Sequence, residues 1–368
     1  MNKKKIIAAA AAFGVAASLF AVASPANAEP VSNGPVVVGS DTLQDVMNAL
    51  ANGTTTTGSA VRSSAGSAFA ASFDATGSVT VQTKSGGPRF GRPNGSGDGV
   101  RALSRSIDGQ PYTSATPGSP TNVTITGQVD IARSSSGATV VANGPLLYIP
   151  FGRDALSYAH SGGANAAFDN IDQATLKGIF ECTITQVGGV TVVPVIPQSG
   201  SGTRADFISK AGIGTLGACV RVGQEHDTEF LADGTTPFPA NAITPMSAAQ
   251  WVAQNTGAGI DRRGAGVKIG SPIAGTPAVT GTGASMVPNA AFYANSTWGR
   301  DTYIVVENAR VTSGDPKYDA NLARLVSNAA NQFANTASVL PTQAGSVKKK
   351  FGFLAPSTTT PFRAALRA

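Results

Sequence analysis

Four short segments of this chain bring glycine together with hydroxyl side chains. They are Gly39-Ser40-Asp41-Thr42, Asn94-Gly95-Ser96-Gly97-Asp98-Gly99, Ala132-Arg133-Ser134-Ser135-Ser136-Gly137 and Gln198-Ser199-Gly200-Ser201-Gly202-Thr203. The first, second and fourth follow strand-like runs and open amphipathic stretches, so each reads as strand, turn and helix start. The Ala132 segment follows a strand without obviously opening a helix. Backbone N–H groups at a helix start carry partial positive charge and bind anions without a formal counter-charge. Hydroxyls add donors, and glycine lets the backbone approach a ligand closely. One such turn alone is ordinary helix capping. Three helix starts and a serine cluster in one chain point to a shared oxyanion site.

Other chemistries fit these residues less well. A P-loop needs a Lys after its last Gly, and none of the four turns has one. A dinucleotide fingerprint needs G-x-G-x-x-G, whereas Gly95–Gly99 reads G-x-G-x-G with no ribose-binding acid evident. A serine hydrolase elbow needs G-x-S-x-G; Ser96 has Asn94 two places before it, and Ser201 is flanked by Ser199 and Thr203. His160 and His226 are the only candidate general bases, and each reads more simply as a locally hydrogen-bonded histidine. Two Cys and two His exclude a zinc site built from them, an iron–sulfur cluster or a multi-histidine centre. No metal, no cofactor and no enzymatic turnover are expected.

The elements that must position these turns belong to a chain of 368 residues, long enough for two lobes. Hydrophobic residues are 42%, enough for a core, and charged residues only 13%, with 43 Gly and 22 Pro. Lys3-Lys4-Lys5, an apolar run from Ile6 to Val22 and the small-residue exit Ala26-Asn27-Ala28 read as a secretory signal peptide over 1–28, cut after Ala28. Without those lysines the formal charge falls from +6 to +3, which argues against nucleic acid as a partner. The first cysteine is Cys182, so no cysteine stands at the cut to take a lipid, and a secreted product, extracellular or periplasmic, is expected. In an oxidising compartment Cys182 and Cys219 are expected to form a disulfide.

Short β-branched runs alternate with amphipathic stretches, the pattern of an α/β fold. Strands are expected at Val36–Val38, Val79–Thr83, Val123–Ala132, Leu146–Pro150, Val190–Ile196 and Thr302–Glu307. Helices are expected at Asp41–Leu50, capped by Ser40 or Asp41, and at Gly97–Ser106, Ile171–Phe180, Thr203–Lys210 and Pro316–Phe333, the last the clearest long helix. From about Gly257 to Pro288 the chain reads as long loops and short strands.

The order of these motifs resembles the phosphate-binding proteins of phosphate ABC transporters, members of the type II periplasmic binding proteins. The residues that carry it are Gly39-x-x-Thr42, Gly95-Ser96-Gly97-x-Gly99, Asp130–Ser135 and Gly200-Ser201-Gly202-Thr203, spanning Val36 to Phe207. The resemblance implies two α/β lobes with a ligand cleft between them, residues 29–145 plus 299–368 and residues 146–298. It also implies a monomer that captures phosphate for a membrane permease. Carried over by position, Thr42, the Leu43 backbone, Ser96, Ser135, Ser201, Gly202 and Thr203 would hold the anion. Two positions depart from the family pattern. Ser135 stands where the family has an Asp that accepts the proton of hydrogen phosphate, a role Asp41 or Asp98 could take. Pro197 stands where the family has an Arg, a loss that Arg133 or Arg204 could restore. A scavenger, sensor or adhesin without a transporter, or an extracellular phosphohydrolase, are the alternatives. Removing one hydroxyl, with Ser201→Ala the simplest change, is expected to weaken binding about ten- to a hundredfold.

Overall fold

The computed structural model describes residues 31–65 and 68–368, so the expected signal peptide over 1–28 lies outside the described residues. Residues 32–368 form one compact unit. Its backbone is a mixed sheet of ten strands among the described residues. In chain order these are β1 (Val36–Gly39), β2 (Ala71–Ser72), β3 (Ile131–Ser134), β4 (Leu146–His160), β5 (Val193–Pro197), β6 (Arg221–Gly223), β7 (Ala242–Ser247), β8 (Lys268–Ile269), β9 (Gly299–Glu307) and β10 (Phe362–Ala364). Their spatial order is β6-β5-β7-β4-β9-β3-β1-β2, with β8 and β10 also pairing with β4.

The sheet has two parts joined by its longest strand. Over Leu146–Ala155, β4 runs antiparallel to β9; over Leu156–His160 it pairs instead with β7. The first part carries β1 parallel to β2 and β3, and the second carries β5 parallel to β6 and β7. Hydrophobic packing follows the same division. One cluster, with Leu176, Ile179, Phe180, Phe207 and Trp251, lies around the second part. Two others, with Val37, Leu50 and Phe333 and with Val38, Phe90 and Leu103, cover the faces of the first. The fold is therefore two-lobed α/β, with β4 passing from one lobe into the other and β9 lying beside its first half. β4 keeps Pro150 opposite Tyr303, and its register shifts just beyond it, between Pro150 and Gly152.

The helices that matter for the site each follow a strand: α1 (Gln44–Asn52), α2 (Ser96–Asp108), α3 (Gln173–Phe180), α4 (Gly202–Ala211) and α5 (Ala248–Thr256). A 3₁₀ turn over Asp41–Leu43 precedes α1, and neither Ser40 nor Leu43 makes a side-chain capping bond there. The expected capping by Ser40 is thus replaced by a tight turn. Gly39 to Thr203 otherwise follow the expected order of strand, turn and helix.

Other expectations are corrected. Pro316–Phe333 is not one helix: only Ala320–Leu325 is helical, started by Asp319, whose carboxylate accepts from the Asn321 and Leu322 N–H groups. Beyond it the chain doubles back, Phe333 N–H donating to Leu325 O so that Phe333 enters the core. Asn331 and Gln332 donate to the Arg62 and Ser64 carbonyls, and side-chain amides that compete for backbone partners end helices. Within Val79–Thr83 only Thr80–Val81 is paired, and Val123–Ala132 is broken between Val123–Thr124 and β3 by a turn at Gly127. β7 and α5 have no counterpart in the sequence reading. No helix among the described residues is long and apolar enough to cross a membrane.

Cys182 and Cys219 form a disulfide with Cα atoms 6.0 Å apart, tying the end of α3 to the approach to β6. Closing a loop of 37 residues restricts the unfolded chain, which stabilises by about 3–4 kcal/mol on the chain-entropy account. The double substitution Cys182→Ser, Cys219→Ser is expected to lose that much in urea denaturation. A loss below about 1 kcal/mol would show that the bond constrains little.

Candidate functional site

Parallel strands aim their C-terminal ends at one place, which is why open α/β sheets bind ligands there. Here β1, β3, β5 and β6 end at Gly39, Ser134, Pro197 and Gly223, and the next few residues of each converge. Two glycines allow the closest approaches. A side chain at Gly95, where φ is +101°, would stand 2.4 Å from Gly200 O. One at Gly202 would stand 2.4 Å from Ser96 Oγ and 2.5 Å from Ser135 Oγ. The start of α4 thus rests on two serines from the other lobe. Gly97 N–H donates to Gly200 O at 3.1 Å, and Gln198 Nε2 to Asn94 Oδ1 at 2.6 Å, closing the lobes on each other.

The hydroxyls form two contiguous groups. Ser96 Oγ and Ser135 Oγ are 3.0 Å apart, and Ser135 N–H also donates to Ser96 Oγ. Thr42 Oγ1 lies 3.3 Å from Thr203 Oγ1. Arg300 Nη2 reaches both threonines, at 3.3 Å and 3.0 Å. All five residues are buried. Ser201 Oγ is the N-cap of α4, accepting from Arg204 N–H at 2.9 Å. Ser201→Ala therefore removes a helix cap, and costs about 1 kcal/mol of stability. That corrects the expectation that it is the simplest test. Leu43 packs its side chain into the core while its backbone lies in the turn beside Thr42.

The two arginines offered in place of the family's missing Arg lie elsewhere. Arg133 is completely buried behind the first turn, donating to the Ser40, Gly39 and Phe73 carbonyls and to Ser72 Oγ. Burial lowers its guanidinium to about 10. Arg204 is half-buried, and its Nη1 donates to the carbonyl of Pro197 at 2.8 Å. The guanidinium thus lies beside the position where the resemblance misses an Arg. It borders a cleft of about 580 Å³ lined also by Asn94 and Gln198 of the second and fourth turns and by Thr76, Thr116 and Gln224. Asp98 is fully engaged, by Arg101 on one oxygen and by Ser114 Oγ and Ala115 N–H on the other.

Two residues at the centre, Arg300 and Glu225, were missed by sequence reasoning, and a third, His226, was named there only as a candidate base. Arg300 opens β9 and is anchored by Asp154, 2.8 Å away, and by Asp206. Glu225 and His226 follow the end of β6. Glu225 Oε1 accepts from Thr42 Oγ1 at 3.2 Å and faces His226 Nε2 at 3.2 Å. His226 Nε2 also lies 3.1 Å from Thr42 Oγ1, 184 residues away, which corrects the reading of His226 as a locally hydrogen-bonded histidine. Burial works to raise the Glu225 carboxyl, but His226 and the hydroxyls of Ser201 and Thr203 outweigh it and hold it at about 2. Its Oε2 nonetheless accepts no well-formed hydrogen bond. No sequence signal set Glu225 apart, since Arg221–Gly223 is not among the expected strands.

Asp41 completes the centre. Its carboxyl is pushed well up by burial first and by the charge of Glu225 second. A carboxyl whose folded pKa is raised contributes stability below its unfolded pKa of about 3.9 and loses it as pH rises. Asp41→Asn escapes that loss. Its stability relative to the parent is expected to increase between pH 4 and pH 7 in urea titrations. An unchanged difference would contradict the raised carboxyl. Among the described residues no group of three or more His, Cys, Asp and Glu could hold a metal ion.

No family model matches the chain, and no curated protein matches it. Solved structures with a similar arrangement include an ABC-type phosphate transport receptor from Vibrio cholerae, 16% identical over 88% of this chain and 100% of the other, with a TM-score of 0.49. A human phosphate binding apolipoprotein is 14% identical over 88% of this chain and 91% of the other, at a TM-score of 0.45. A periplasmic phosphate-binding protein, PfluDING, solved with phosphate, is 13% identical over 88% and 91%, at 0.47. The chain is similar to phosphate-binding proteins.

Proposed function

We propose that this protein is an exported solute-binding protein that captures phosphate, or a tetrahedral oxyanion like it, for an ABC permease. The observation that carries the reading is the meeting of Thr42 and Thr203, 161 residues apart, on one buried guanidinium beside the starts of α2 and α4. Hydroxyls, helix-start N–H groups and Arg300 are all donors, and an array of buried donors is complementary to a dehydrated anion. The order of motifs from Val36 to Phe207 supports the same reading. In this view residues 1–28 are a leader removed after Ala28 with no lipid left behind. Residues 29–145 plus 299–368 and residues 146–298 act as the two lobes of a monomer that opens and closes by hinge motion in β4 and β9.

Calorimetric titration of the purified protein with phosphate, sulfate, molybdate and methylphosphonate tests this. One saturable phosphate site per chain is expected; absence of binding to all four would overturn the reading. The contact between Thr42 and His226 gives a hydrolase reading a specific observation in its favour. Yet His226 Nδ1 has no hydrogen-bond partner to orient the ring, and the residue is only 2% exposed. A nucleophile and base need both an orienting partner and access for substrate. No sustained release of p-nitrophenol from p-nitrophenyl phosphate is expected, and release that disappears in Thr42→Val would establish the enzyme instead.

A further inference from the structure

We propose that Glu225 is a built-in competitor for the oxyanion, its carboxylate occupying the donor array between the lobes until a ligand displaces it, so that Glu225 sets both affinity and selectivity. The inference rests on the reading of this site as an oxyanion site. Glu225 comes from the second lobe, yet its Oε1 takes the Thr42 hydroxyl of the first. It is 2% exposed and completes the bridge that Thr42, Thr203 and Arg300 make. The groups that face it are Thr42 and Asp41 from the first turn, Ser201 and Thr203 from the start of α4, Arg300 from β9 and its neighbour His226. Every one except Asp41 is a donor or a source of positive potential. A carboxylate there is an anion in an anion's place.

The fit is incomplete, and that is what makes displacement feasible. A carboxylate has two oxygens, and one of these, Oε2, accepts no well-formed hydrogen bond. Ser96 and Ser135 hydrogen-bond to each other. The His226 side chain is held against Glu225 by a backbone at φ +60°, a conformation unusual outside glycine that persists only where its surroundings impose it. A tetrahedral oxyanion brings four oxygens and enough charge to engage both hydroxyl groups at once. Two anions cannot share a buried site of this size without strong repulsion, so the ligand must exchange with Glu225 rather than join it. Small carboxylates, which offer no more than Glu225 already does, gain nothing by exchange and are rejected. Only ligands with more acceptors or charge bind.

Glu225→Gln keeps the shape and removes the charge; Glu225→Ala leaves the space open. In calorimetry Glu225→Gln is expected to bind phosphate at least tenfold more tightly than the parent. Equal or weaker binding by Glu225→Gln overturns the proposal, because Glu225 then assists the ligand or ignores it. In thermal unfolding, formate is expected to stabilise Glu225→Ala saturably and leave the parent unmoved, since it replaces the missing carboxylate. No formate effect on folded Glu225→Ala, checked by circular dichroism, also overturns it. If Glu225→Ala does not fold, the Gln variant decides alone. If neither parent nor variants bind phosphate, the phosphate reading falls by itself. The formate arm then still decides whether Glu225 fills an anion site, a saturable effect supporting it and none overturning it.

Discussion

Arg300→Met is expected to lower the unfolding free energy by about 3–5 kcal/mol, because it strands a buried carboxylate. Arg300 is 5% exposed, and its partner Asp154 is fully buried. Nε donates to Asp154 Oδ2 at 2.9 Å, while Nη1 reaches Asp206 and Nη2 reaches the two threonines. Asp154 Oδ1 accepts from Ser247 Oγ and from Ala249 N–H at the start of α5, so the same carboxylate also holds that helix. Removing the guanidinium leaves Oδ2 without its charge partner in a dry place, and a lone buried charge is costlier than no charge at all. Arg300→Lys keeps the charge but not the fork, and is expected to fall between parent and Met. Arg300→Met combined with Asp154→Asn should lose less than Arg300→Met alone, since no charge is stranded. Equilibrium urea denaturation of the four proteins measures this. A loss below about 1 kcal/mol for Arg300→Met would show that the network is not structural.

The second large effect concerns binding. Thr42→Val and Thr203→Val each remove one hydroxyl and keep the branched shape of the side chain. A hydrogen bond to a charged group is worth about 1.5–3 kcal/mol, so each change is expected to weaken phosphate binding about ten- to a hundredfold. The full loss is expected in the Glu225→Gln background. In the parent it is partly masked, because the Thr42 hydroxyl also holds Glu225 and its removal weakens ligand and competitor together. Similar losses from the two variants, one in each lobe, would mean that one ligand bridges both. If both bind phosphate as the parent does in either background, the hydroxyls serve only to hold the lobes together.

The chain's own residues determine a good deal without tertiary information. Local rules of glycine, hydroxyl and β-branched residues place turns after strands and before helices. For that reason Val36–Thr42, Ser96–Asp108 and Pro197–Ala211 are legible. Two cysteines in a chain whose N-terminal residues read as an export leader suffice to expect the Cys182–Cys219 bond. Where local and long-range preferences conflict, the sequence misleads. Pro316–Phe333 has helical composition, but Phe333 must reach the core and the amides around it find backbone partners elsewhere, so the chain turns instead.

Only the tertiary structure decided what fills the site. Glu225, His226 and Arg300 lie in segments with no motif, and their roles come from strand ends that meet across the two lobes. Arg133 and Arg204 were reasonable candidates by spacing, yet spacing along a chain does not say which way a guanidinium points. Arg133 went to backbone carbonyls within its own lobe, and Arg204 to the edge of the cleft. The physical reason is one of range. Turn chemistry is settled by neighbours within a few residues, whereas the charge balance of a buried anion site is a sum over groups as far apart in sequence as Thr42 and Arg300.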